Sequence, residues 1–173
     1  MEDLPVRKKI RLDGYDYSQE SAYFITICAK TMENIFCRSE YTNLNSIGSP
    51  IHSLGLSDIG EIVNKSIKNI PQYYQNVCVD KYVIMPNHIH IILRIIDDKK
   101  NGRTLFAPTI SRVVKHMKEY VTKQIGFSIW QKSYNDHIIR SETAYQNIWN
   151  YIDNNPQKWA EDRYYKDFKG ANI

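Results

Sequence analysis

The sequence predicts an α+β fold, an antiparallel sheet with helices packed on it. Two patterns carry this expectation. Short runs rich in β-branched and aromatic residues read as strands, and longer segments repeat their apolar residues at helical spacing. Their order is strand, helix, hairpin, helix, helix, without the regular strand–helix–strand alternation of a parallel sheet.

Taken in order, residues 6–12 form a basic arm within a polar N-terminal stretch of about 1–14. Residues 22–29, Ala-Tyr-Phe-Ile-Thr-Ile-Cys-Ala, read as the first strand. Residues 34–38 suggest a short second strand or an edge, and 42–56, with Asn, Ser, Gly and Pro, a loop. Asp58 with Glu61 resembles a capping box that starts a helix. Ile59, Ile62, Val63, Ile67 and Ile70 form its stripe, and Pro71 stops it. Residues 77–84 and 88–96 flank Pro86-Asn87 and read as an antiparallel hairpin. A polar loop follows, containing Asn101-Gly102. The helix expected over 108–125 carries Ile110, Val113, Val114, Met117 and Val121 on one side and Arg112, Lys115, His116 and Lys123 opposite. Residues 126–140 are aromatic-rich and irregular, with room for a short strand. The last helix runs from near Glu142 to near Asn155, before Pro156 and a short polar tail, 157–173. The whole chain, 1–173, is expected to form a single domain.

Composition narrows the function classes. Hydrophobic residues make up 42% of the chain, which excludes a disordered polymer. No apolar run approaches the ~20 residues of a membrane helix. The first ten residues lack the apolar core of a secretory signal, so cytoplasmic residence and no membrane partner are expected. The three cysteines, Cys28, Cys37 and Cys78, form no Cys-x-x-Cys pair and read as buried free thiols. A net charge of +4 permits nucleic-acid binding without requiring it.

The strand at 88–96 holds the most informative pattern. A strand points residues i and i+2 to one face. His88 and His90 therefore project side by side with Arg94, while Ile89, Ile91, Leu93 and Ile95 cover the opposite face. One face is continuous core, and the other offers two adjacent metal ligands. In the last helix, Tyr145, Ile148, Trp149 and Ile152 share a stripe at ~100° per residue. Tyr151 falls roughly 110° from its centre by the same geometry. Asn155 lies one turn on, along the same flank. Tyr151 thus sits at the edge of the buried face beside a side-chain amide.

Three motifs occur in order: Pro86-x-His88-Ile89-His90, Trp130-Gln131-x-x-Tyr134-x-x-His137-x-x-Arg140, and Tyr151-Ile152-x-x-Asn155-Pro156. Together they resemble the single-tyrosine HUH transposases, and most of all the REP-associated tyrosine transposases. The resemblance spans roughly residues 15–160. It implies a ferredoxin-like or RRM-like sheet and a divalent cation, Mg²⁺ or Mn²⁺, held by His88 and His90. It also implies a nucleophilic tyrosine at the position of Tyr151. Where many relatives place a glutamine ligand four residues after the tyrosine, this chain has Asn155, one methylene shorter but still offering an amide oxygen.

On that resemblance, Tyr151 attacks a DNA phosphodiester, and strands are cleaved and rejoined through a 5′-phosphotyrosine. His137 is either a participant in the site or a structural histidine. The expected partner is single-stranded or hairpin DNA. Candidate strand contacts are Arg7, Lys8, Lys9 and Arg11 in the arm, Arg112, Lys115 and Lys123 on the second long helix, and Arg140. Homodimer and monomer both stay open. Two other classes compete: a nucleic-acid-binding module of the same fold without catalysis, and a small metal-dependent hydrolase acting on other substrates.

Overall fold

The computed structural model describes residues 14–38, 55–96 and 109–166. The arm residues Arg7, Lys8, Lys9 and Arg11, the loop residue His52, and Asn101-Gly102 lie outside the described residues. The elements are β1 (Ser21–Cys28), α1 (Asp58–Lys68), a short helix α2 (Ile70–Tyr73), β2 (Val77–Ile84), β3 (His88–Ile95), α3 (Ile110–Ile125), β4 (Asn135–Ile139) and α4 (Glu142–Asn154). A 3-10 helix, Pro156–Glu161, follows α4.

The strands form one four-stranded antiparallel sheet in the order β2-β3-β1-β4. This is the ferredoxin-like arrangement, and the expected α+β class holds. The two faces of β3 are sorted as strand parity requires. Ile89, Ile91, Leu93 and Ile95 join Tyr23, Ile25 and Ile27 under α1 and α3, whose Val63, Ile67, Val113, Val114, Met117 and Val121 complete the main core. Each such aliphatic side chain contributes about 1.5–3 kcal/mol by leaving water. On the other face, α4 lays Ile152 against Ile92 and Ile139. Tyr145, Ile148 and Trp149 pack there only half-buried, because this smaller layer has one helix where the first has two.

Local chemistry revises several boundaries. The cap of α1 is Ser57, whose Oγ accepts from the Gly60 N–H at 3.0 Å. Asp58 and Glu61 lie in the first turn, where their charge faces the positive end of the helix, instead of forming the capping box. A Cβ on Gly60 would stand 2.1 Å from the Phe36 carbonyl oxygen, so only glycine lets the 35–38 strap approach α1. Pro71 does not end α1. It occupies the first turn of α2, where no amide donor is needed, and Asn69 caps α1 before it. Residues 34–38 form no strand; Cys37 makes a single bridge to Leu56. Cys28 and Cys37 are buried free thiols as expected, whereas Cys78 is only half-buried.

A bulge in β2 between Val79 and Lys81 frees Asp80 from the pairing. Its carboxylate accepts from Arg94 Nε and Nη2 at 2.7 and 2.9 Å and from the Tyr145 hydroxyl at 3.0 Å. This clamp ties α4 to the sheet through Tyr145, six residues before Tyr151. Lys81, ion-paired with Asp153, adds a second tie.

Candidate active site

His88 and His90 occupy the first and third positions of β3 and face away from the main core. Across the sheet, Cys28 pairs with His88 and Thr26 with His90. Both histidines are buried, at 0% and 2% exposure. Their Nε2 atoms stand 3.0 Å apart.

The hydrogen bonds behind the rings decide which nitrogens face each other. Asn87, fully buried in the hairpin turn, donates from Nδ2 to the carbonyls of Met32 (3.1 Å) and Tyr164 (2.8 Å). Its Oδ1 must then be the acceptor from His88 Nδ1, 2.9 Å away. His88 therefore carries its proton on Nδ1, and its Nε2 presents a lone pair. His90 Nδ1 contacts the Thr26 hydroxyl at 2.9 Å. When that hydroxyl accepts, His90 Nε2 is a lone pair as well. Two lone pairs 3.0 Å apart repel unless a proton or cation lies between them.

Tyr151 comes to this pair from α4 of the same chain. Its hydroxyl is 3.2 Å from His90 Nε2, and its ring meets His90 and Phe24 edge-on. The aromatic flank expected from the helical wheel is thus aimed at the histidines. Tyr151 remains 44% exposed, open to a substrate from solvent.

Asp162 is the residue that sequence reasoning missed. The stretch expected as a polar tail folds back after Pro156, buries Trp159 against His88, and returns Asp162 and Tyr164 to the pair. Asp162 Oδ2 lies 4.0 Å from His88 Nε2, and its side chain is 4% exposed. One ligating atom from each of His88, His90 and Asp162 falls within 4.8 Å of the others. The Tyr164 amide and Asn155 Nδ2 hold the carboxylate at 2.7 and 3.2 Å. Asn155 is itself buried, and its Oδ1 has no hydrogen-bond partner. The sequence signal for this return was weak: a helix-ending proline followed by an apolar tryptophan.

The donor set fits a divalent cation. It combines two imidazole nitrogens and a carboxylate, a mixed nitrogen and oxygen set of the kind that holds divalent ions.

Electrostatics keeps the ligands ready. Burial, and then the Arg163 guanidinium, pulls the His88 imidazole down to about 3. Burial, and then His88, does the same to His90, also to about 3, although Asp162 acts in the opposite direction. Both rings are neutral near pH 7. The Tyr151 phenol is pushed above its ordinary value by burial and by Asp162, against the opposing pull of Asn155 and Arg163. It stays protonated at neutral pH.

These depressed values give a pH prediction for the chelator-treated protein. The unfolded chain takes up protons on both histidines below pH ~6.5, and the folded chain does not until about 3. The stability that the neutral pair contributes is therefore full above pH ~6.5 and falls as the pH drops below it. Urea unfolding between pH 7.5 and 5 measures this. A double His88→Gln, His90→Gln variant should be flatter over the same range, and an equally steep loss in that variant would refute the assignment.

The other expected site residues stand apart. His137 lies on the same face of the sheet, but in β4, paired with Phe24 and two strands away from β3. It is exposed and borders a separate cavity of about 510 Å³ with Arg140 and Ser141. Arg112, Lys115 and Lys123 are exposed on α3, in the helical layer across the sheet from Tyr151.

No family model matches the sequence. An uncharacterized protein of Haemophilus influenzae is 36% identical over 180 aligned positions, covering 93% of this chain and 94% of its own. Among solved structures, a REP-associated tyrosine transposase bound to a REP hairpin superposes with a TM-score of 0.56. The match has 18% identity and covers 86% of this chain and 74% of the other, so it supports the fold. The chain belongs to one family with the Haemophilus influenzae protein, and its fold is that of the REP-associated tyrosine transposase.

Proposed function

We propose that this protein is a transposase-type DNA strand transferase that cleaves and rejoins single-stranded or hairpin DNA through a 5′-phosphotyrosine on Tyr151. In this reading residues 1–173 act as one unit in the cytoplasm of a prokaryotic cell. The observation that carries the reading is the Tyr151 hydroxyl 3.2 Å from His90 Nε2, beside a buried set of oxygen and nitrogen donors. The likeness to a transposase that holds a hairpin adds a reason to choose DNA.

His88, His90 and Asp162 would hold a divalent cation, with Asn155 Oδ1 as a further donor. A cation held there would supply Lewis-acid withdrawal of charge from the scissile phosphate. A protonated phenol is a weak nucleophile, so the chain's own part is to place it and to polarise its target. Tyr151 Oη forms a bond to phosphorus and the P–O3′ bond breaks. The phenolic proton passes to solvent, which reaches the ring, and the departing 3′ oxygen takes up a proton. The 5′ phosphate stays on Tyr151. Attack by another 3′-OH reverses these steps and joins strands without a nucleotide cofactor. Arg163, exposed at the rim with its guanidinium over Tyr164, is placed to pair with a flanking phosphate. His137, Arg140, Arg112, Lys115 and Lys123, and the arm residues Arg7, Lys8, Lys9 and Arg11, are proposed to contact DNA away from the reacting phosphate.

A 3′-labelled hairpin oligonucleotide with Mn²⁺ tests the reading. Labelled DNA should become attached to protein in a denaturant-stable band, while a 5′-labelled copy releases a shorter free strand. Tyr151→Phe should reduce the attached product below about one part in 10³. Attachment that survives in Tyr151→Phe excludes this nucleophile. Hairpin binding with no attached product under any metal condition leaves a non-catalytic binding module.

A further inference from the structure

A second candidate site lies behind the sheet from Tyr151. Residues 128–134 pass beside α3 and wall an open cavity of about 630 Å³. Four lysines line it: Lys115, Lys118 and Lys123 from α3 and Lys132 from the facing segment. Their charge is opposed within the lining by Glu119, which pairs with Lys115 at 3.6 Å. Trp130 and Tyr134 supply its aromatic surface.

Lys118 differs from the other three. It sits recessed between α3 and the segment, and donates from Nζ to the carbonyls of Gln131 and Ser133 at 3.0 and 3.1 Å. An ammonium has three donors. These two bonds fix its position and leave one N–H for a ligand. Burial pulls its basicity down to about 8, and an arriving anion would favour its charged form. Lys115 and Lys123 are eight residues apart, which separates them by about 12 Å along the helix, with Lys118 between. This row of cations suits a chain of phosphates better than one small anion.

The groove also meets the end of the sheet that carries the histidines. Trp130 bridges to Ala29 and the Gln131 amide donates to the Cys28 carbonyl at 3.1 Å. Cys28 is the β1 partner of His88 and lies within the electrostatic reach of both Arg163 and Lys118. The backbone links at Ala29 and Cys28 thus place the groove wall at the end of β1 that pairs with His88.

We infer that the groove between α3 and residues 128–134 binds the sugar–phosphate backbone of single-stranded DNA flanking the cleaved phosphate, with Lys118 at its floor and Lys115, Lys123 and Lys132 along its walls. The inference rests on the reading that DNA is the substrate. A single strand is the occupant because Lys118 is recessed. A lone backbone can enter the groove and reach it, whereas a duplex carries its phosphates on a convex cylinder. The groove gathers two of the cations expected from sequence, Lys115 and Lys123, and adds Lys118 and Lys132.

The test uses full-length protein carrying Tyr151→Phe, without metal, so that binding is separated from chemistry. A fluorescent hairpin with a single-stranded tail is titrated at several salt concentrations. Lys115→Gln, Lys123→Gln and Lys132→Gln together, all at exposed positions, should weaken binding at least about tenfold. They should also lower the slope of log K against log[salt] by about 2, since each single-strand phosphate contact contributes ~0.7. Removing the tail should erase the difference between the two proteins. Lys118→Met adds a further loss where it folds. An unchanged affinity and slope in the triple variant overturns the groove while leaving Tyr151 chemistry standing. Equal competition by blunt duplex overturns the single-strand assignment. Absence of any DNA binding by the parent protein overturns both readings.

Discussion

His88→Ala should abolish detectable Mn²⁺ binding, and Asp162→Ala should weaken it by more than the ~100-fold that marks loss of a supporting contact. The geometry behind this expectation is direct. Removing His88 deletes one of two nitrogens that face each other at 3.0 Å. Removing Asp162 deletes the charged member of the group, delivered by the segment after Pro156. Without it only two neutral rings of the group remain to hold a dication. Calorimetric titration or Mn²⁺ paramagnetic resonance on the DNA-free protein reads both variants, independently of catalysis. Hairpin binding without metal should largely survive in His88→Ala, because the histidines are buried and the proposed strand contacts lie elsewhere. Asp162→Ala with unchanged metal affinity would assign the carboxylate a structural role and return the third position to Asn155.

The second large effect concerns Asn87, which touches neither Tyr151 nor the cation position. Its side chain serves three partners at once: the half-buried Met32 and Tyr164 carbonyls and the buried His88 Nδ1–H. Asn87→Ala leaves all three without their partner. At about 1–3 kcal/mol for the buried orphan at His88, and less for the two half-buried carbonyls, the expected loss is about 2–4 kcal/mol. Urea unfolding measures it. Metal affinity should fall a further 10- to 100-fold in the folded fraction, because His88 is no longer held with its proton on Nδ1. Asn87→Asp separates the two effects. A carboxylate still accepts from His88 but cannot donate to the carbonyls, so stability should fall while much of the metal affinity returns. Equal metal affinity in wild type and Asn87→Ala would show that the tautomer is set elsewhere.

Much of the scaffold was readable from local rules. Period two put Ile89, Ile91, Leu93 and Ile95 on the core face and the histidines on the other. The α3 stripe Ile110, Val113, Val114, Met117 and Val121 is buried as its spacing requires. The flank of α4 carrying Tyr151 was legible because the helix repeat is regular. Local reading failed where two signals compete. Ser57 outcompeted Asp58 as a cap because its extended backbone aims Oγ at Gly60. Pro71 reads as a stop in either context, yet in the first turn of a new helix it costs nothing.

The site itself divides along the same line. His88, His90 and Tyr151 declare themselves through residue type and periodicity, which act over a few residues and need no knowledge of the fold. Their approach does not. Tyr151 lies 61 residues from His90, and only the packing of α4 on the sheet brings its hydroxyl to 3.2 Å. Asn87 looks like ordinary turn chemistry until Met32 and Tyr164 arrive from 55 and 77 residues away. Asp162 sits in a stretch whose composition reads as a polar tail. Burial of Trp159 against His88 folds that stretch back, and the burial can occur only once the sheet and α4 have formed the surface that receives it. Local periodicity therefore specifies which residues point toward a site, while long-range burial and hydrogen bonding select the carboxylate, the tautomer and the distances that could make it reactive.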